Sequence, residues 1–93
     1  MTNTFKFHTD GGHGWLQVNS ADLASLGLGT NDFSHYSYVD HADQGIETRY
    51  YLEEDQDVIV FFEAFKRQHG EEPKFTFEHV EGESFIRNLE RIL

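Results

Sequence analysis

The chain has 93 residues, in which 17 Asp and Glu outweigh 7 Lys and Arg to give a formal net charge of −10. A chain of this length forms one domain, and an aromatic content of 15% is too high for a disordered acidic tail. The negative charge argues against direct binding of nucleic acid or an anionic membrane, and the lack of cysteine excludes disulfides and thiolate metal sites. The first residues carry no export signal or membrane span, so we expect a cytosolic protein.

The first part of the chain predicts two strands and a short helix. Residues 5–8 and 15–18 suit strands, and the glycine-rich turn between them suits a hairpin. Residues 21–26 then predict a two-turn helix, with Ser20 as its N-cap.

The middle of the chain predicts a second strand pair and the longest helix. Residues 35–39 and 46–52 alternate in polarity and are joined by a polar loop, which predicts antiparallel neighbours. A helix starts at Asp55 or Asp57 and ends before a glycine and a proline. Its face toward the sheet is formed by Val58, Phe61, Phe62 and Phe65.

The last part predicts a fifth strand over residues 74–80 and a final helix over residues 84–93. The elements together predict a single α+β domain spanning residues 1–93. Its mainly antiparallel sheet has four to five strands, and two or three helices pack on one face.

The acidic residues are concentrated in one part of the chain. Between Asp40 and Glu63 there are eight carboxylates and only one base, Arg49. An array of carboxylates can occupy a cationic groove that normally grips DNA phosphates. The alternative is a face that only increases solubility, with acids near a helix start capping free amides. The candidate partner-binding residues are Asp40, Asp43, Glu47, Glu53, Glu54, Asp55 and Asp57, with Tyr51 as an exposed aromatic among them.

Two histidines and a carboxylate suggest a second, catalytic hypothesis. His8, Asp10 and His13 lie within six residues on a strand and turn, where they could form part of a metal site in a small hydrolase. Their spacing matches no diagnostic set of metal ligands. We therefore expect a protein that is not an enzyme and needs no cofactor.

Four stretches carry a more specific pattern: residues 8–16 (HTDGGHGWL), 36–38 (YSY), 51–57 (YLEEDQD) and 69–73 (HGEEP). Together they resemble a set of small proteins of phages and mobile elements, and within that set the chain resembles an inhibitor of type I-C CRISPR systems. The resemblance implies an anti-CRISPR protein of the host bacterial cytosol that binds the Cascade complex and blocks recognition of target DNA near the PAM. We expect a monomer whose acidic surface mimics DNA. The alternative partner is another basic nucleic-acid-binding protein or a nuclease.

Overall fold

One mixed β-sheet organises the protein in the computed structural model, which describes residues 3–41 and 48–92. Within those residues six strands pair in the order β5-β1-β2-β4-β3-β6. The strands are β1 (Thr4–Thr9), β2 (Gly14–Asn19), β3 (Tyr38–Asp40), β4 (Arg49–Glu53), β5 (Lys74–His79) and β6 (Glu90–Arg91). The helices are α1 (Ser20–Ser25) and α2 (Asp57–His69), with two 3₁₀ helices, Thr30–Asp32 and Phe85–Asn88. The predicted α+β class is confirmed, with one strand more than the upper end of the expected range.

The pairing of the strands is antiparallel except between β1 and β5. The predicted β1–β2 hairpin and the antiparallel β3–β4 pair are confirmed. Strand β5 lies parallel to β1, which requires a crossover, and α2 precedes β5 in the chain. Part of the strand predicted over residues 46–52 lies outside the described residues; the described strand begins at Arg49.

The main core lies between the sheet and the two α-helices. Alternating residues of β1, β2 and β4 bury Phe5, Leu16 and Leu52 beneath Phe61 and Phe65 of α2. The ring of Phe5 meets those of Phe61 and Phe65 edge to face, at centroid distances of 5.0 and 5.8 Å. The predicted apolar face of the long helix is confirmed for Val58, Phe61 and Phe65, whereas Phe62 is only partly buried and does not belong to this core. The helix begins at Asp57 and ends at His69, with Gly70 as its C-cap at a φ of 72°.

The opposite face of the sheet carries a second, smaller core that the sequence did not predict. Trp15, Tyr38 and Tyr51 cluster there with Ile86 of the second 3₁₀ helix. The expectation that the helices cover only one face is therefore incomplete. The expected final helix is wrong as well, because the chain end instead forms the 3₁₀ helix and then β6, whose residues pair with the edge of β3.

Two local expectations are also corrected. The N-cap of α1 is Asn19 rather than Ser20: its side-chain oxygen accepts a hydrogen bond from the Asp22 amide at 2.8 Å, and the Asp22 carboxylate accepts one from the Asn19 amide. Strand β3 begins at Tyr38, because the residues just before it turn to place Ser34 and Ser37 against Asp57.

No helix within the described residues is long and apolar enough to cross a membrane.

Candidate functional site

The strand register separates the predicted acidic residues into two groups. Asp40 ends β3 opposite Arg49, whereas Glu53 ends β4 at the other end of the sheet. Four residue steps along β4 correspond to about 13 Å. Asp43 and Glu47 lie outside the described residues. The closeness of the acidic residues in the sequence predicted a single acidic face. Asp40 and Glu53 do not share such a face, because they lie at opposite ends of the sheet.

Two predicted contact residues are buried and are not available to a partner. Asp57 is 2% exposed and accepts hydrogen bonds from the Ser34 amide and from the hydroxyls of Ser34 and Ser37. Its carboxylate therefore ties the loop before β3 to the start of α2. Tyr51 is also 2% exposed, because the second core covers its face of β4. The prediction of an exposed Tyr51 is wrong.

The remaining predicted acids, Glu53, Glu54 and Asp55, lie in and beside the turn between β4 and α2. Glu53 is half-buried, and its carboxylate accepts hydrogen bonds from the amides of Asp55 and Gln56 at 2.7 and 3.1 Å. Glu54 lies 3.9 Å from the imidazole of His13, and Asp55 is exposed. Glu53 therefore shapes the turn, while Glu54 and Asp55 offer charge at the surface.

A second acidic turn lies along the same end of the sheet. The Val80 amide donates to the Thr9 carbonyl at 3.0 Å, and the Glu54 amide donates to the Gly14 carbonyl at 3.2 Å. These bonds fix the residues after β5 and after β4 on either side of the β1–β2 turn. We call the carboxylates of the two turns the acidic edge: Glu53, Glu54, Asp55, Glu81 and Glu83.

The separation of the two turns follows from the order of the strands. From β5 to β4 there are three strand spacings, through β1 and β2, or about 14 Å. Glu81 and Glu83 lie outside the acidic stretch between Asp40 and Glu63. They are far from Glu53 in the chain, and only the pairing of β5 beside β1 brings the two turns to one edge.

Asp10 and Arg87 form an ion pair between the two acidic turns. The Asp10 side chain is fully buried and accepts from Arg87 Nε and Nη2 at 2.6 and 2.9 Å. It also accepts from the amides of Gly12, His13 and Ser84 at 2.9 to 3.0 Å. The Arg87 guanidinium, followed by these amides, holds the pKa of the Asp10 carboxyl far below its usual range, against the effect of burial. The same contact raises the pKa of Arg87.

Beside this ion pair lies a cleft of about 500 Å³ on the face of the smaller core. The guanidinium of Arg87 lies 5.4 Å from the Trp15 ring centroid, and that of Arg91 lies 4.7 Å from the Tyr38 ring. Tyr36 is 52% exposed. The cleft therefore presents aromatic rings and two guanidinium groups, each next to an aromatic ring, beside the acidic edge. It is lined by His13, Trp15, Tyr36, Tyr38, Glu53, Asp55, Gln56, Arg87 and Arg91.

The structure does not assemble His8, Asp10 and His13 into a metal site. The His8 imidazole shares a hydrogen bond of 2.8 Å with the Gln17 side chain, and the Asp10 carboxylate is occupied by Arg87 and backbone amides. His13 is exposed next to Glu54. In the part of the chain that the structure describes, no group of three or more His, Cys, Asp or Glu side chains could hold a metal ion.

The structure shows what local sequence patterns could not reveal about this region. Arg87 is separated from Asp10 by most of the chain, and no spacing rule links a turn carboxylate to a distant guanidinium. Two glycines after Asp10 indicated a turn, but not the buried charge inside it. Comparisons of the chain with known protein families, with curated proteins and with solved structures find no match.

Proposed function

We propose that the protein is a non-enzymatic inhibitor that binds a basic, DNA-binding surface of another protein. Its proposed target is the type I-C Cascade complex, where the acidic edge occupies the site that receives target DNA near the PAM. The geometry of the charges supports binding to a cationic surface. The resemblance of the sequence to type I-C anti-CRISPR proteins supplies the identity of the target.

The observation that carries this proposal is the placement of two acidic turns at one end of the sheet. Their separation of about 14 Å is comparable with the width of the DNA major groove, which is about 12 Å. The two turns can therefore stand in for phosphates on the two sides of the groove. Lys and Arg side chains that grip phosphates also form strong charged hydrogen bonds with carboxylates.

The cleft next to the acidic edge adds contacts of a different kind. Tyr36 presents an exposed ring with a hydrogen-bonding tip, and Glu53 and Asp55 belong to both the cleft and the acidic edge. Binding energy at interfaces is concentrated in such aromatic residues, while surface charges mainly control the association rate. A Tyr36→Ala substitution should therefore increase the dissociation rate, whereas changes to the acidic edge should mainly lower the association rate.

The test measures binding of the purified protein to purified type I-C Cascade by calorimetry. The variant Asp55→Lys/Glu81→Lys changes one exposed carboxylate in each acidic turn. The matched control Glu63→Lys/Glu72→Lys makes the same change in charge at exposed positions outside the acidic edge. We expect the first variant to weaken binding about tenfold or more at low salt and the control to stay within about threefold of the wild type.

A gel-shift assay with a PAM-containing duplex checks the mechanism. The wild-type protein should prevent Cascade from binding the duplex in a stoichiometric manner, with less effect as salt rises. Equal loss of affinity in both variants would refute the assignment to the acidic edge. Absence of Cascade binding, with capture of another DNA-binding protein or a nuclease from a host lysate, would replace the proposed target by the alternative partner.

A further inference from the structure

The last strand of the sheet, β5, has an open side with an exposed aromatic residue. Strand β5 pairs with β1 on one side and, within the described residues, with no strand on the other. Phe77 is 71% exposed although its ring lies 5.6 Å from that of Phe7. An edge strand with apolar side chains is a template for pairing with another chain.

The backbone geometry shows which residues of β5 can pair outward. The Lys74 amide donates to the Asn3 carbonyl at 2.7 Å, and the Val80 amide donates to the Thr9 carbonyl at 3.0 Å. In the parallel register between them, every second residue of β5 directs its backbone toward β1. The backbone groups of Phe75 and Phe77 therefore point to the open edge.

We infer that β5 pairs antiparallel with β5 of a second copy, with Thr76 of one copy opposite Thr76 of the other on a twofold axis. This register joins Phe75 of each copy to Phe77 of the other as a hydrogen-bonded pair. It also places Lys74 of each copy opposite Glu78 of the other, on the opposite face of the sheet. The strand is thus self-complementary in backbone hydrogen bonding and in its Lys74–Glu78 charge pairs, as a twofold interface requires.

In the other registers that bring the outward-facing backbone groups of the two strands together, Lys74 and Glu78 no longer lie opposite each other. With Phe75 opposite Phe75, or Phe77 opposite Phe77, the charged residues Lys74 or Glu78 face Thr76 instead of each other. Larger shifts place Lys74 opposite Lys74 or Glu78 opposite Glu78, and like charges directly opposite each other are destabilising.

The pairing ends at two copies. Once the two β5 strands pair, the described edges of the joined sheet are the two β6 strands, which have only two residues each. Edges this short do not support further strand pairing. The antiparallel arrangement places the two acidic edges at opposite ends of the joined sheet. The inferred dimer therefore differs from the expected monomer and does not depend on the proposed function.

Two charge reversals test the register. Lys74→Glu and Glu78→Lys each place like charges opposite each other in a homodimer, whereas a mixture of the two variants restores opposite charges at both positions. Analytical ultracentrifugation of the full chain should show the wild type approaching twice its mass of 10.8 kDa at high concentration. Each variant alone should dissociate about tenfold or more readily, and the mixture should form a heterodimer.

The controls Lys66→Glu and Glu63→Lys make the same charge changes at exposed positions of α2 and should dimerise like the wild type. Because Glu78 also forms an exposed ion pair with Lys6 at 3.2 Å, circular dichroism should verify that each variant is folded. Hydrogen exchange of the wild type gives a second measurement: the amides of Phe75 and Phe77 should become protected as concentration rises. A wild type that stays monomeric, exchange that is independent of concentration, or a mixture that does not associate would overturn the inference.

Discussion

Replacing Asp10 by asparagine should destabilise the fold by about 3 kcal/mol at neutral pH. The Asp10 side chain is fully buried and accepts two charged hydrogen bonds from Arg87, whose own side chain is 28% exposed. Breaking a buried ion pair costs about 3 to 5 kcal/mol, and the lower end applies because water can still reach Arg87. Urea denaturation at pH 7 measures the loss directly.

The pH dependence provides a sharper test of the same ion pair. Folding lowers the pKa of Asp10, so its contribution to stability is complete above the ordinary carboxyl pKa of about 4 and is lost as the pH falls below it. The wild type should lose about 1.4 kcal/mol of that contribution per pH unit below 4, while the Asp10→Asn variant has no carboxyl to titrate at this position. The difference in unfolding free energy between the two proteins should therefore shrink from about 3 to about 1.6 kcal/mol by pH 3. Equal stabilities at pH 7, or a difference that stays constant down to pH 3, would refute this reasoning.

Three further predictions concern residues that shape the fold around the site, each measured as the free energy of unfolding in urea. Asp57→Asn should cost about 2 kcal/mol because its serine donors lose a charged acceptor, and an unchanged midpoint would contradict this. Gly14→Ala should cost about 1 to 3 kcal/mol because the added Cβ meets an aromatic carbon at 2.6 Å, whereas Gly11→Ala meets nothing within 4 Å and should be neutral. Asn19→Ala should cost about 1 kcal/mol and Ser20→Ala much less; the reverse order would restore Ser20 as the cap.

Sequence patterns correctly predicted the elements in which apolar residues recur at a regular spacing and face the core. The alternation in β1 and β2 and the apolar face around Phe61 specify strands and a helix whatever the rest of the chain does. The C-terminal segment was different because its helical spacing competed with partners elsewhere: the Ile92 amide donates to the Ser37 carbonyl, and Ile86 fills the smaller core. Those partners are supplied by tertiary structure, so periodicity alone predicted the wrong element.

The site was harder to predict because strands carry sequence neighbours to opposite ends of a sheet. Asp40 and Glu53 belong to one acidic stretch of the chain, yet β4 separates them. Glu81 belongs to another stretch, yet β5 brings it to the same end as Asp55. Charge counted along the sequence therefore measures how acidic a segment is, but not which carboxylates a partner can contact together.

The net charge of −10 also combines carboxylates with different roles. Asp10, Asp22 and Asp57 are buried and accept hydrogen bonds from backbone amides, so a partner could contact them only by breaking the fold. Substituting such residues destabilises the fold, and a loss of binding that follows from this would wrongly identify them as contacts. Asp55 and Glu81 are exposed, and no side-chain hydrogen bond or ion pair of either is found within the described residues. Loss of binding in a folded variant at these two positions is therefore the result that can identify the interface.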